Sequence, residues 1–542
     1  MTNRIKKFIR SSYFSKITKS VLSLIAFLIA VTLLTAINTY LSLNQFSAGN
    51  FARAQDLAQQ AKKSSQLLVI FTFKQSHLVL TWKQGLETLS LTANILEQAQ
   101  QNSSLKLNGK TTNLSSKVNQ LSGEVRKLSY EFDQSWLLKL FLSSQIESKI
   151  NSYLNLAADL TSLTYWTKVE QTAVAVLLQN KDEIRASGGF LGSLAMVSLN
   201  QLQIQQIDFY DAYDINGQIN TLLPPVPGAK DYLTQGKGLN FTDANWHADF
   251  PTACSQINEL LKQVELKPDI TIALNQELIE QVIDIIGPIY LPDYQLELTG
   301  NNFTQLAREN RSKFFSGDKQ KKYFLETAFQ QMKIKLEKTN FDQKKQLFFL
   351  IKNSLDQQQI LVHAKQKNMQ DTFAKYSWTG ALESHFSENK QEVIYLVESN
   401  VGINKANQKV ERKVQLIADS EKNGSAEIEL SFFNNNQPLS QKEAKKIEEN
   451  PDLLQAPHLG YVNYQRIITQ PQTEVVSVSC QQKNITIKEN RLISSSKQNE
   501  FRQTGFLVTV PEQNQVKCVV KLKTTSGSEK NKWMVKLQPG LN

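Results

Sequence analysis

From Ser20 to Ala52 the chain carries no charged residue, and V-L-S-L-I-A-F-L-I-A-V-T-L-L-T-A-I-N-T-Y-L-S-L within it is long enough to cross a bilayer as one helix. Arg4, Lys6, Lys7, Arg10, Lys16 and Lys19 precede it without an acid. The positive-inside rule therefore leaves residues 1–20 as a cytoplasmic tail, 21–43 as the span and everything after it outside the membrane. A cleaved signal peptide shares the basic start, but this run is longer than an h-region and no small-x-small cleavage site follows. No second span of comparable length appears, so the expected topology is single-pass with a large extracytoplasmic part.

The 542 residues exceed what one core can hold, and three further parts are expected. Residues 44–168 read as a helical stalk or bundle: Ala, Gln, Leu and Lys dominate, and Leu114, Val118, Leu121, Val125, Leu128 and Phe132 follow a coiled-coil heptad. Asn102–Asn113 reads as a turn between two of its helices, and Trp136–Trp166 as a further helix. Residues 169–391 alternate short apolar strands with helices, among them Pro251–Val264 and a helix stopped by Gly287 and Pro288, with two lysine-rich helices at Lys319–Lys338 and Asp342–Leu355. This is an α/β domain. Residues 392–542 hold alternating strands and one charged helical insert near Ser440–Glu449, which predicts an all-β, sandwich-like domain.

The formal charge of +11 invites a nucleic-acid partner, yet six of the positive charges belong to the tail and no aromatic-interleaved basic motif accompanies the rest. Nucleic acid is therefore not expected. Cys480 and Cys518 lie in two predicted strands of one domain and can pair in an oxidising compartment, leaving Cys254 as buried filler on an apolar helix face. No metal-protease, nucleophile-elbow or phosphate-loop pattern occurs.

Polar and special residues concentrate between Gln179 and Thr252. Arg185, Arg308 and Arg311 are the only arginines between Tyr130 and Val410, in a chain that otherwise uses Lys, and Arg suits planar, bidentate phosphate binding. Asp211 and Asp243 are candidate catalytic groups with Arg185, and Asp211 and Asp249 are candidate metal ligands, Mg being the natural ion for such chemistry. Gly188 and Gly189 would let the backbone approach a ligand, with Asn245, Trp246, Arg308 and Arg311 completing a binding set. Each has a plainer reading: a turn for the glycines, a helix-start acid for Asp249, a core anchor for Trp246 and a buried ion pair for Arg185.

The segments L-L-Q-N-K-D-E-I-R-A-S-G-G-F-L-G-S, L-P-P-V-P-G, D-A-N-W-H-A-D-F-P-T, I-I-G-P-I and S-N-V-G-I-N-K-A-N resemble the bacterial domain-of-unknown-function family 4012, over Val174 to about Asn436. That resemblance implies a membrane-anchored exported protein of the cell envelope and names no activity. His247 stands where the family usually has Ser, Ala248 replaces the Pro that follows, and Lys321 and Lys322 stand where Arg is common. The order of elements is also similar to the LytR-CpsA-Psr phosphotransferases, which attach lipid-pyrophosphate-linked glycopolymers to the wall. Two functions follow as expectations. The first is binding or assembly of an envelope glycopolymer or partner; the second is Mg-dependent phosphotransfer or pyrophosphate hydrolysis on a lipid-linked glycopolymer.

Overall fold

The computed structural model describes residues 12–71, 76–104, 114–162, 171–200, 203–224, 226–309, 320–386, 391–420, 424–449, 456–481, 483–484, 489–494, 500–525 and 532–541. Backbone packing divides the chain into two units: residues 1–169 with Asn340–Lys344, and residues 170–339 with 345–542.

The N-terminal unit is helical: α1 Ser12–Ser47, α2 Phe51–Phe71, α3 His77–Ser104, α4 Leu114–Gln134, α5 Trp136–Phe141 and α6 Ser144–Ser162. Within α1, Ser23–Ser47 is long and apolar enough to cross a membrane, with a mean hydropathy of 2.1. At 1.5 Å per residue α1 is about 54 Å long, more than the roughly 30 Å of a hydrocarbon core. Its later turns carry hydroxyls that bond to the following helices. Thr35 Oγ1 donates to Ser64 Oγ (2.8 Å), Ser42 Oγ donates to the Ala54 carbonyl (2.6 Å), and Trp82 Nε1 donates to Thr39 Oγ1 (3.0 Å). Ala54, Ala58 and Ala61, all fully buried, let α2 come close. The heptad of α4 buries Leu121, Val125 and Phe132, and Leu121 and Val125 cluster with Ala158 of α6. The predicted helix over Trp136–Trp166 is two helices, broken at Leu142–Ser143. Asn102–Asn113 and Trp166 fall mostly or wholly outside the described residues.

In the second unit, β1 Thr172–Asn180, β2 Phe190–Asn200, β3 Gln203–Asp211, β4 Ile270–Asn275 and β7 Ile360–Ala364 form one sheet in the order β3-β2-β1-β4-β7. Only β1 and β4 run parallel. The connections carry α7 Ala212–Asn216, α8 Ala229–Tyr232, α9 Phe250–Gln263, α10 Gln276–Ile286, the small hairpin β5 Ile289–Leu291 and β6 Leu296–Leu298, α11 Phe303–Glu309, α12 Gln320–Glu337 and α13 Phe341–Asp356. α14 Lys367–Lys375 and α15 Leu382–Phe386 follow β7. One face of the sheet packs on α9 through Ala175, Leu177, Ala273, Ile257 and Leu261, and the other on α10, α11 and α12 through Leu178, Ile279, Phe303 and Phe324. That is the layered α/β arrangement expected of strands apolar on both sides.

Two five-stranded sheets complete the unit: β13-β12-β16-β10-β9 and β14-β15-β11-β8-β17. Their strands are β8 Gln391–Val397, β9 Val410–Ser420, β10 Ser425–Asn434, β11 Tyr461–Thr469, β12 Thr473–Cys480, β13 Lys483–Asn484, β14 Glu489–Ser494, β15 Glu500–Val510, β16 Gln515–Thr524 and β17 Lys532–Leu537, with α16 Gln441–Glu448 between β10 and β11. Ile428, Leu430 and Val520 of the first sheet meet Ile394, Ile467 and Val508 of the second in a common sandwich core. Ile184, from the loop after β1, is buried in that same core, so the α/β layer and the sandwich share packing.

Cys480 and Cys518 are directly opposite in the β12–β16 ladder and form a disulfide, while Cys254 is free and fully buried in α9. The bridge links residues 38 apart, and closing a loop of that size restrains the unfolded chain by about 3–4 kcal/mol. Reduction, or Cys480→Ser with Cys518→Ser, is expected to lower the melting temperature measured by calorimetry. Thiol titration of the native oxidised protein is expected to find no reactive group until it unfolds.

Candidate functional site

The chain leaves β1 at Asn180, whose Oδ1 accepts the Asp182 N–H (3.0 Å) and starts a 3-10 turn over Lys181–Glu183. A second turn follows, closed by the Gly188 N–H on the Arg185 carbonyl (2.9 Å). Gly188 has φ +125°, and a Cβ there would stand 2.8 Å from Gln179 Oε1 and 3.2 Å from Asn275 Nδ2. Only glycine suits this backbone and this space. What comes close is protein on both sides, because a Cβ on Gly540, just past β17, would meet the Gly188 carbonyl at 2.5 Å.

Arg185 is 2% exposed. Its Nε and Nη2 both donate to Asp243 Oδ1 (3.1 and 2.9 Å), and its Nη1 donates to the carbonyls of Asn400 (2.6 Å) and Ile184 (3.2 Å). The guanidinium lies 5.7 Å from the centre of the Phe190 ring, and the Arg185 carbonyl accepts from Gln538 Nε2 (2.7 Å). Asp243 comes from a 3-10 turn, Phe241–Trp246, where its Oδ2 also accepts from Thr242 Oγ1 (3.2 Å).

The rest of that turn extends the same set of bonds. Asn245, fully buried, donates to Ser187 Oγ (2.8 Å) and to the Gly189 carbonyl (2.7 Å), and Ser187 Oγ also accepts from Gln179 Nε2 (2.6 Å). Trp246 stacks on Tyr464 of β11 (5.9 Å, 18°), and the Arg466 guanidinium lies 5.0 Å from its ring centre while donating to the Trp246 carbonyl (2.8 Å) and Ser399 Oγ (2.9 Å). Tyr464 also explains the last residue of L-P-P-V-P-G. At Gly228, with φ +77°, a Cβ would lie 2.1 Å from its ring.

Asp249 caps α9, Oδ2 accepting the Thr252 N–H (3.1 Å) and hydroxyl (2.6 Å), and Oδ1 accepts the Leu382 N–H (2.9 Å). The Asp249 N–H donates to His247 Nδ1 (3.0 Å), so that nitrogen carries no proton, and burial lowers the His247 pKa with the Arg466 charge adding to the effect. Asp211 ends β3 opposite Ser193 and caps α7 by accepting the Tyr213 N–H (2.9 Å). Arg308 lies on α11, and Arg311 is outside the described residues.

The structure thus brings Arg185, Gly188, Gly189, Asp243, Asn245 and Trp246 into one buried hydrogen-bonded set, with Asp249 at the start of the helix that follows. Asp211 belongs to a separate cap. Among the described residues no three His, Cys, Asp or Glu side chains converge as a metal-holding group. The partners that sequence reasoning missed are Asn400, Ser399, Arg466, Tyr464 and Gln538. The S-N-V-G-I-N-K-A-N segment held the available signal: Asn400 Nδ2 donates to the Asn404 carbonyl (2.9 Å), Asn404 Nδ2 to the Gly460 carbonyl (2.8 Å) and Asn407 Nδ2 to the Lys181 carbonyl (2.5 Å).

A pocket of about 40 Å³ opens on the opposite face of the sheet, at the carboxyl ends of the parallel pair β1 and β4. Strand alternation turns Leu178 and Asn180 toward it and Gln179 away. Leu178, Ile279, Phe303, Ala307 and Leu325 give it an apolar lining, and Asn180, Ser193, Gln276 and Lys405 supply its polar groups; among the described residues no carboxylate lines it. Gln276 is the first residue of α10, whose N-terminal end favours negative charge. The outer carboxyl ends of strands are where open α/β sheets take ligands.

Two predictions follow from these contacts. Arg185→Ala leaves Asp243 without its cation and is expected to cost about 3–5 kcal/mol in urea denaturation, with Arg185→Lys failing to restore it because the contacts need a planar fork. The double variant with Asp243→Ala is expected to be less than additive. The second concerns acid. His385 stacks on Tyr395 (4.3 Å), and burial, helped by Lys536, holds its pKa down to about 4, while burial also lowers His363. The unfolded chain therefore binds the His385 proton near 6.5 and the folded chain only near 4, so stability is full above pH 6.5 and falls as pH drops through that window. The loss reaches about 3 kcal/mol for this residue, and His385→Phe is expected to flatten the measured stability–pH curve.

No curated protein matches the chain. Among solved structures, protein gbs0355 from Streptococcus agalactiae is similar at 11% identity over 40% of this chain and 76% of that one, with a TM-score of 0.26, too low to carry an argument. The LytR-CpsA-Psr likeness is not shown by these comparisons. Residues 170–311, which contain the Arg185–Asp243 set and most of the pocket, match the model of DUF4012, a protein of unknown function.

Proposed function

We propose that the chain is a single-pass, membrane-anchored protein of the cell envelope that binds an extracytoplasmic glycopolymer or partner, with its bulk outside the membrane. The pocket at the ends of β1 and β4 is the binding site in this reading. The observation that carries it is the division of labour between the two faces of the sheet. Arg185, Asp243, Asn245 and Asp249 are buried or partly buried among protein groups, whereas the pocket opens at the sheet end and is lined by two amides, a hydroxyl, a lysine and a helix N-terminus, with Asn180 Oδ1 also accepting the Asp182 N–H and Ser193 Oγ donating to the Gly192 carbonyl. Such a lining suits hydroxyl-rich or anionic groups. The span Ser23–Ser47 supplies the anchor.

The second reading is Mg-dependent phosphotransfer or pyrophosphate hydrolysis on a lipid-linked glycopolymer. It is favoured by one feature: Ala307 lines the pocket, and the same helix carries Arg308, with Arg311 beyond it in sequence. In that reading Arg308 and Arg311 would hold phosphates and Asp211 would hold the metal.

Full-length protein in nanodiscs, given purified envelope glycopolymer or a polyprenyl pyrophosphate with and without Mg²⁺, separates the two. Saturable binding without phosphate release is expected, and Lys405→Ala is expected to weaken it roughly tenfold or more, the worth of one charge-assisted hydrogen bond. Metal-dependent phosphate release that is lost in Asp211→Ala would establish the second reading instead. Absence of both binding and release would remove the pocket as the site for these ligands.

A further inference from the structure

Helix α2 runs antiparallel to α1. Ser42 Oγ donates to the Ala54 carbonyl (2.6 Å), and Thr35 Oγ1, seven residues earlier in α1, donates to Ser64 Oγ (2.8 Å), ten residues later in α2. The last turns of α2 therefore lie beside the section of α1 that precedes Thr35. Helix α3 returns antiparallel to α2, with Asn94 Nδ2 donating to Gln55 Oε1 (3.0 Å) and Lys62 paired with Glu87. In turn α4 runs antiparallel to α3: Gln84 Nε2 donates to Glu124 Oε2 (2.6 Å), and His77 Nδ1 meets Glu131 Oε2 at 2.9 Å. Helix α5 packs on α3, and its Lys139 pairs with Glu147 in the first turn of α6 (3.2 Å). One end of the bundle thus holds the end of α2, the start of α3, the end of α4, α5 and the start of α6, and it faces back along α1 toward the N-terminus.

Among the described residues, the exposed large apolar side chains of α2 to α5 all belong to this end: Leu67, Ile70, Leu78, Tyr130 and Trp136. Ile146, exposed in the first turn of α6, joins them. Ile70, Tyr130 and Trp136 are 64, 60 and 65% exposed. Single exposed apolar residues are ordinary, whereas a set gathered at one end from five helices is a patch. Polar groups at this end bond to one another: His77 meets Glu131, Lys139 pairs with Glu147, and Asn151 Nδ2 donates to Asp133 Oδ1 (2.8 Å). Tyrosine and tryptophan rings among such mutually paired charges suit the depth of lipid headgroups. Alongside, α1 itself is bare, with Ile29, Leu33 and Leu34 exposed. Between Lys19 and Thr35 it rises about 24 Å, enough to cross a hydrocarbon core of roughly 30 Å with modest thinning. We propose, on the reading of α1 as an anchor, that this end of the helical bundle rests in the adjoining interface of the membrane, with Tyr130 and Trp136 at headgroup depth and Leu67 and Ile70 entering the acyl boundary. The occupant is lipid, because the hydrogen bonds between α1 and α2 hold this end at the level where the apolar stretch of α1 passes bare into the bilayer.

The test uses the full chain in nanodiscs, with an environment-sensitive fluorophore on one introduced cysteine. Cys254 is buried and Cys480 and Cys518 are bonded, so the label has one site. At Ile70→Cys and at Trp136→Cys the probe is expected to shift to the blue and to lose intensity to shallow doxyl-labelled lipid more than to deep. At Leu160→Cys, exposed about 24 Å along α6 from its first residue, it is expected to do neither. Ile29→Cys reports the anchor by itself and is expected to be quenched most by the deep label. Quenching at Ile29 that is missing at either Ile70 or Trp136 overturns the docking and leaves the anchor standing. No quenching at Ile29 overturns the anchor, and the docking with it. A blue shift at Ile70 and Trp136 that no lipid label quenches assigns this end to a second copy or another protein and overturns the docking equally. Quenching at Leu160 as strong as at Ile70 lays the bundle along the membrane on its side and overturns the end-on contact.

Discussion

The second unit depends on the placement of one buried cation. Arg185 sits where the α/β sheet meets the sandwich, and its donors join three segments: its own loop, the Asp243 turn and the Asn400 loop. Desolvating a guanidinium is costly, and only a carboxylate with additional acceptors offsets that cost. A structure that buries Arg185 must therefore bring all of these groups together, which fixes how the turn after β1, the 3-10 turn before α9 and the loop after β8 stand relative to one another. Gln538 closes the arrangement by donating to the Arg185 carbonyl and accepting the Glu398 N–H (2.5 Å), so a residue next to the C-terminus bonds to the loop after the first strand.

Around that cation the sequence motifs of the central region become intelligible as contacts. The glycines of R-A-S-G-G let a turn lie against the ends of β1 and β4 and beneath Gly540. Asn245 donates to the Gly189 carbonyl and to Ser187 Oγ, tying the turn's backbone and side chain to the 3-10 turn, while its own Oδ1 is buried without a hydrogen-bond partner. Trp246, Tyr464 and Arg466 form a second tie between the same two layers, in which a stacked ring and a charged fork hold a carbonyl and a hydroxyl at fixed positions. The pocket adjoins these ties, since Phe190, whose ring faces the Arg185 guanidinium, and Asn180, which starts the 3-10 turn, also line it.

The N-terminal unit follows a different physical logic. Within the apolar stretch of α1, Thr35, Thr39 and Ser42 carry hydroxyls that bond to α2 and α3, beside small neighbours. Small residues and hydroxyls pack helices closely with or without water. Packing in this unit therefore rests on close approach and local hydrogen bonds, whereas the second unit rests on large apolar cores and one charged centre.

Local chemistry made much of the architecture legible. The uncharged run specified a helix able to span a membrane, the periodicities separated helices from strands, and Gly287 and Asp249 marked helix ends that the structure places at Gly287 and Asp249. Local chemistry gave Asp249 its cap and raised an ion pair for Arg185 without identifying the partner. The partner is Asp243, 58 residues on, and the second acceptor, Asn400, is 215 residues away. Spacing and propensity report what a residue does within a few turns of itself; they carry no information about which distant carbonyl will meet a buried donor. For this protein, sequence alone determined the elements and the residues worth attention, and the tertiary structure decided that most of those residues face one another while the open pocket lies on the sheet's other side, since only chain crossing and burial bring such distant groups to hydrogen-bond range.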